Sequence, residues 1–282
     1  MSGRSRLRAI ARACAALSAV ALGAIGAFHA IQLGRLFGSR IAYPYDLEWM
    51  EGGQLYHAHR LLHGASIYRD CTDGFLPFPY PPVHALAVAG ASALFGASYL
   101  VARLVSVVAF AVATLLLARE VWGDGRPRAR RIVLTLAAIG GVAASFPITG
   151  AWYDLVRVDS VYFALLIVGA RLALPPRPRA GGGRREHLSN GRILACALCL
   201  ASSVYAKQTA AFFMPWIAVY AWWRYGKRGF TLGALTALFC VVPGLWLSWR
   251  GDGFFFAMMF DVMGRHPLVE LQAREAAVRT LV

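Results

Sequence analysis

Residues 13–33, 99–121 and 230–249 are each predominantly apolar and each about as long as a helix must be to cross a bilayer's hydrocarbon core, roughly twenty residues. Further apolar runs lie between them, and short blocks rich in arginine separate the runs. A chain built this way satisfies its backbone inside helices, so the expected fold is all-α, a polytopic transmembrane helix bundle. Composition agrees. The chain is 58% hydrophobic and 15% charged, with a mean hydropathy of +0.53, more apolar surface than a soluble domain of this length can bury.

The formal net charge is +15, and nearly all of the excess is arginine. These residues fall in blocks between apolar runs and form no aromatic-interleaved basic face, so nucleic acid is not an expected partner. They fit the excess of basic residues in cytoplasmic loops. The blocks are Arg4 to Arg12, Arg126 to Arg131, Arg177 to Arg192 and Arg224 to Arg228. If all four are cytoplasmic, an even number of crossings separates each from the next. About seven spans then follow: 13–33, 99–121, 132–149, about 153–174, 193–206, 210–223 and 230–249. The N-terminal run resembles a secretory signal, but it continues to about Leu33, which favours an uncleaved anchor. Residues 82–96 are too short to span and read as a juxtamembrane or re-entrant helix started by Pro81-Pro82. The pair 193–206 and 210–223 is also short, and a single tilted helix is the alternative there.

This topology puts 34–81, 150–159 and 250–282 outside, and the unexpected polar residues fall in those segments. Tyr45-Asp46-Leu47-Glu48-Trp49-Met50-Glu51 carries three acids just past the first span. The spacing predicts an amphipathic helix from about Leu47 to Leu62, capped by Asp46 and ended by Gly64. The acids either stabilise that helix start or form a site, as a general base or as ligands of a divalent cation. The second turn holds Asp154, Arg157 and Asp159 at the mouth of the fourth span. Arg157 pairing with Asp154 three residues back would merely neutralise the helix end; Asp159 has no obvious local partner. Lys207, one of only two lysines, either receives a phosphate or snorkels to the interface. Arg103 stands near the outer end of its span, where it too can snorkel.

Other candidates are weaker. His59 and His63 are four apart, but the sequence between them lacks the glutamate of a zinc-binding His-Glu-x-x-His helix, so they read as surface residues. Cys196 and Cys199 lie mid-span and read as packing; Cys14 and Cys240 are also in apolar runs, and Cys71 is in a loop. Aromatic residues of the first loop fit an interface belt.

The order of motifs resembles a known superfamily. An acid in the first outer loop precedes Leu61-Leu62-His63-Gly64-Ala65-Ser66-Ile67-Tyr68. Tyr80-Pro81-Pro82 follows, then Phe95-Gly96-Ala97-Ser98 with Arg103, the run Tyr153-Asp154-x-x-Arg157-x-Asp159-Ser160, and Lys207-Gln208. This resembles the GT-C fold of integral membrane glycosyltransferases, and among them dolichyl-phosphate-mannose mannosyltransferase-like and bacterial lipopolysaccharide core sugar transferase-like proteins. The resemblance implies a membrane module over 1–249 and an outer C-terminal segment over 250–282, shorter than relatives usually have. It implies transfer, with inversion, of a sugar from a polyprenyl-phosphate donor to a glycan, lipid or protein hydroxyl, at the extracytoplasmic face of the cell's inner membrane.

A first-loop carboxylate would be the base. Relatives often have Asp-Glu about thirteen residues before the glycine, and Glu51 stands thirteen before Gly64, although Met50 replaces the Asp. Glu51 is thus the first candidate, with Glu48 and Asp46 next. Asp159 and Asp154 would assist, with a divalent metal in some branches. Lys207, Arg157 and Arg103 would hold the donor phosphate. The rival classes are a lipid or glycan transporter and a membrane assembly protein without a catalytic site.

Overall fold

The computed structural model describes residues 3–70, 75–122, 127–175 and 188–265. Cys71, the Gly181 to Gly183 linker and the tail beyond 265 lie outside the described residues, as do Arg126 and most of the Arg177 to Arg192 block. Every described element is a helix. In chain order they are α1 (Gly3–Arg40), α2 (Glu51–Leu62), α3 (Val83–Phe95), α4 (Tyr99–Trp122), α5 (Arg128–Ala144), α6 (Val158–Ala173), α7 (Asn190–Ala206), α8 (Met214–Tyr225) and α9 (Lys227–Arg250). A 3-10 segment, Gln208–Phe213, joins α7 to α8, and a short helical turn from Phe254 to Val262 follows α9.

Among the described residues three helices are long and apolar enough to cross a membrane: Ala9–Arg40 within α1, α4 and α9. They match the expected spans 13–33, 99–121 and 230–249. Their large side chains face outward. On α9, Phe230, Leu238, Val241, Val242, Leu245, Trp246 and Trp249 are exposed, while Gly229, Leu232, Thr236 and Gly244 are buried. Apolar surface on that scale is stable against lipid and not against water. The other four expected spans are also helices, but α5, α6, α7 and α8 have only 17, 16, 17 and 12 residues. Each is shorter than the roughly twenty that an upright spanning helix needs. The described residues therefore form an all-helical fold with three membrane-length helices.

The chain divides into two compact units, residues 1–42 with 111–152, and residues 43–110 with 153–282. In the first unit α1 packs along α5. The contact centres on Gly26 and Gly140, where the backbones approach too closely for any side chain. A Cβ on Gly140 would collide with the Cα of Gly26, and one on Gly26 would lie 2.8 Å from the Leu136 carbonyl carbon. Small residues at such a crossing give van der Waals contact where lipid removes the hydrophobic drive for helix pairing. Gly140→Ala is therefore expected to destabilise the protein by about 1–3 kcal/mol through overpacking, read as a lower melting temperature in detergent. Gly141→Ala is the control, because a Cβ there meets nothing within 4 Å, and it should melt as the parent does.

In the second unit, one core joins α6 to α9 through Leu166, Ile193, Cys196, Leu200, Ala221 and Leu232. Cys196 donates its thiol to the Gly169 carbonyl at 3.1 Å, a packing role. A second core seats Ile67, Tyr68 and Phe75 on Phe255, Met258 and Met259. A third joins α2, α3 and α4 through Ala58, Val88, Ala89 and Ala102, with Val156. The helix of the first loop ends as its sequence predicts. Gly64 takes a φ of 71°, and the N–H groups of Gly64 and Ala65 bond back to Leu61 and Arg60 carbonyls, the glycine-terminated helix end that L-residues strain to form. Its start differs. The helix begins at Glu51 rather than Leu47, and its N-cap is Met50, without a capping side chain. The reason lies in the contacts of Glu51.

Candidate functional site

Two charge clusters of different character occupy the second unit. In the first, Glu51 and Arg103 are both fully buried. Arg103 donates Nε to Glu51 Oε1 at 2.9 Å and Nη2 to Oε2 at 2.7 Å. Its remaining donors reach the Tyr43 and Tyr45 carbonyls at 2.6 and 2.7 Å. Glu51 also accepts from the Leu47 N–H at 2.7 Å and the Val156 N–H at 2.9 Å. One carboxylate thus ties together the first loop, α4 and the segment before α6. Its hold on Leu47 folds residues 47–50 into a turn, which is why α2 starts late. Burial pushes the Glu51 carboxyl up, but the bonds from Arg103, Leu47 and Val156 together with the Arg103 charge outweigh it and leave it below its ordinary value.

Arg103 does not snorkel: its side chain is inside the protein, and its guanidinium is engaged on three sides.

The second cluster is an alternating chain. Arg157 Nη1 lies 3.0 Å from Glu48 Oε1, and Arg157 Nε lies 3.3 Å from Asp159 Oδ2. Lys207 Nζ lies 2.6 Å from Asp159 Oδ1 and 5.5 Å from the centre of the Tyr162 ring. These side chains are accessible in part: 16% for Glu48, 7% for Arg157, 15% for Asp159 and 21% for Lys207. Asp159, which has no evident partner in the sequence, has two in space. Met50 supplies a soft contact, its Sδ 3.2 Å from Arg157 Nη1 and 3.9 Å from the Tyr80 hydroxyl.

The remaining acids divide. Asp46 is exposed and does not cap α2; its carboxylate and the Tyr99 hydroxyl flank Gly52. Asp154 is fully buried. Among the described residues no group of three or more His, Cys, Asp and Glu is placed to hold a metal ion. Glu48 and Asp159, the acids of the alternating cluster, each face a cation instead.

Sequence reasoning missed the polar groups behind this chain. Helix α2 turns Glu51, Gln54 and His57 inward, all buried. His84 on α3, also fully buried, meets Gln54 Oε1 through Nδ1 at 3.2 Å. Burial pushes the His84 ring down to about 4, so it is neutral at ordinary pH. The signal was present: Glu51, Gln54 and His57 recur every third residue, a polar stripe on one helix face. Gln208, next to Lys207, bonds the Pro79 carbonyl at 3.0 Å. It also lines an apolar cavity of about 260 Å³ with Pro81, Tyr205, Gly244, Phe255 and Met259. A charged cluster beside an apolar cavity suits an amphiphilic ligand with an anionic head.

The class so defined, among the described residues, is an all-helical protein with three membrane-length helices and a partly accessible chain of paired charges. Comparison with known proteins adds nothing to it: no family profile, curated protein or solved structure matches the chain.

Proposed function

We propose that the chain is a membrane glycosyltransferase of the GT-C kind. It crosses the inner (plasma) membrane about seven times, with a cytoplasmic N-terminus and an extracytoplasmic site. It moves a sugar from a polyprenyl phosphate to a hydroxyl of a glycan, lipid or protein. The observation that carries this reading is the chain Glu48–Arg157–Asp159–Lys207, partly accessible and next to an apolar cavity through Gln208. Two cations suit a phosphate, an apolar cavity suits isoprenoid units, and a carboxylate beside them suits a base.

In this reading the base is Glu48 rather than Glu51. A base must reach the proton that it abstracts. Both oxygens of Glu51 already accept two bonds each, and none of its surface is open. Glu48 is partly open and has a single cationic partner in the chain of charges. Asp46, exposed and nearby in sequence, is the second candidate. Glu48 takes the acceptor hydroxyl proton as that oxygen bonds the anomeric carbon. The carbon–oxygen bond to phosphate breaks on the opposite side, and polyprenyl phosphate leaves with the electron pair between Arg157 and Lys207. Configuration inverts. Glu51 and Arg103 form the scaffold that holds the first loop against the segment before α6.

The test is direct. The full chain in lipid nanodiscs is given radiolabelled hexoses and pentoses on undecaprenyl phosphate, with an envelope extract as acceptor source. The expected result is loss of label from the carrier lipid and its appearance on acceptor. Label that stays on the carrier with every sugar, combined with movement of the carrier lipid across vesicle bilayers, would instead establish a transporter.

A further inference from the structure

Asp159 is held as a phosphate would be. Lys207 grips one oxygen at 2.6 Å and Arg157 the other at 3.3 Å. An ammonium and a guanidinium that converge on the two oxygens of a carboxylate can converge equally on two oxygens of a phosphate group. The neighbouring pair shows the contrast. Glu51 and Arg103 have no exposed surface and no route for exchange, whereas Asp159 and Lys207 are 15% and 21% exposed. The anion on Lys207 is therefore replaceable.

Charge adds a second constraint. Glu48, Arg157, Asp159 and Lys207 carry two formal charges of each sign. An incoming phosphate finds no net attraction among these four unless a carboxylate gives way. Glu48 also accepts the Met50 N–H at 3.0 Å, which fixes it to the start of α2. Among the described residues Asp159 has no such backbone bond, and it touches both cations.

We propose that Asp159 is a built-in competitor, occupying on Lys207 and Arg157 the place that a phosphate-bearing ligand takes. The proposal rests on reading this cluster as a donor phosphate site, and it says how that site is kept closed. Free phosphate must displace Asp159 with its charge alone. A lipid phosphate has a second source of affinity, because its tail can fill the apolar cavity that Gln208 and Tyr205 line. The displaced carboxylate then lies beside a bound donor, so the site is completed only when the donor is present.

The experiment compares the parent, Asp159→Asn, Lys207→Met and the double variant as full chains in detergent, with inorganic phosphate and farnesyl phosphate as probes. Removing the competing charge should tighten both probes by about tenfold or more in Asp159→Asn, the size of one charge-assisted bond. Adding Lys207→Met should abolish the gain. The parent should bind farnesyl phosphate more tightly than inorganic phosphate. Asp159→Ser gives the same comparison if the Asn variant melts below the parent without ligand. Equal affinity in parent and Asp159 variants overturns the proposal. Weaker binding overturns it too, because Asp159 would then help hold the ligand. A gain in the Asp159 variants of a chain that transfers no sugar leaves this inference standing and removes the glycosyltransferase reading. Sugar transfer without that gain removes this inference alone.

Discussion

Glu51→Gln should destabilise the protein by about 3–5 kcal/mol, the range for removing one partner of a buried ion pair. Gln keeps the size of Glu51, but it brings an amide donor against the Arg103 donors and leaves the guanidinium buried without its counter-charge. The Leu47 and Val156 N–H groups would compete for the single oxygen that remains. The effect is read as a fall in melting temperature in detergent and as faster proteolysis of the first loop. Arg103→Met should give a loss of the same order, since it leaves the Glu51 charge buried. The double variant Glu51→Gln with Arg103→Met should be less destabilised than the sum of the two. If Glu51→Gln instead melts as the parent does and loses only turnover, Glu51 is the base and the scaffold role assigned here is wrong.

The pH dependence has a definite sign. The folded carboxyl of Glu51 lies below its ordinary value of 4.5. Its contribution to stability is therefore fully present above that value and is lost as pH falls through the lower folded value. In Arg103→Met, Glu51 loses the partner that holds its carboxyl down, so acid unfolding should depend less steeply on its titration.

Glu48→Gln is the second large effect, on rate rather than stability. With Glu48 as base, turnover from a polyprenyl-phosphate sugar should fall by about 10²-fold or more. The melting temperature should change far less than in Glu51→Gln, because the Glu48–Arg157 pair is partly exposed and Arg157 keeps Asp159. Donor binding should persist, since Lys207 and Arg157 remain. Full turnover in Glu48→Gln, with loss in Asp46→Asn, would move the base to Asp46 and keep the mechanism. Full turnover in both would remove the first-loop acids from catalysis.

Much of the helical layout was legible because it depends on local rules. Runs of apolar residues become helices wherever lipid or core can cover them, and prolines and glycines punctuate them. The expected segments 99–121 and 230–249 became α4 and α9 with shifts of a few residues. Gly64 ended α2 because only a residue tolerant of positive φ closes a helix in that way. α1 ran past its expected end to Arg40, through Gly34 and Gly38.

The site was legible as an inventory and not as an arrangement. Asp46, Glu48, Glu51, Asp154, Arg157, Asp159, Lys207 and Arg103 stood out because charge is expensive in an apolar chain, and that argument needs no coordinates. Which of them is solvated and which entombed was not available from spacing. Glu48 and Glu51 are three residues apart with the same chemistry, and the resemblance to membrane glycosyltransferases favours Glu51 as the reactive one. The first shares Arg157 at partial exposure, while the second is locked to Arg103, 52 positions away, and to the Val156 N–H, 105 positions away. The sequence by itself determined that this chain is helical, belongs with lipid and carries a few costly charges, because hydropathy and helix termination act over a few residues. Only the tertiary structure decided how those charges pair. Pairing depends on distances between segments far apart in the sequence, and a shift of a few ångströms turns a candidate base into a buried counter-ion.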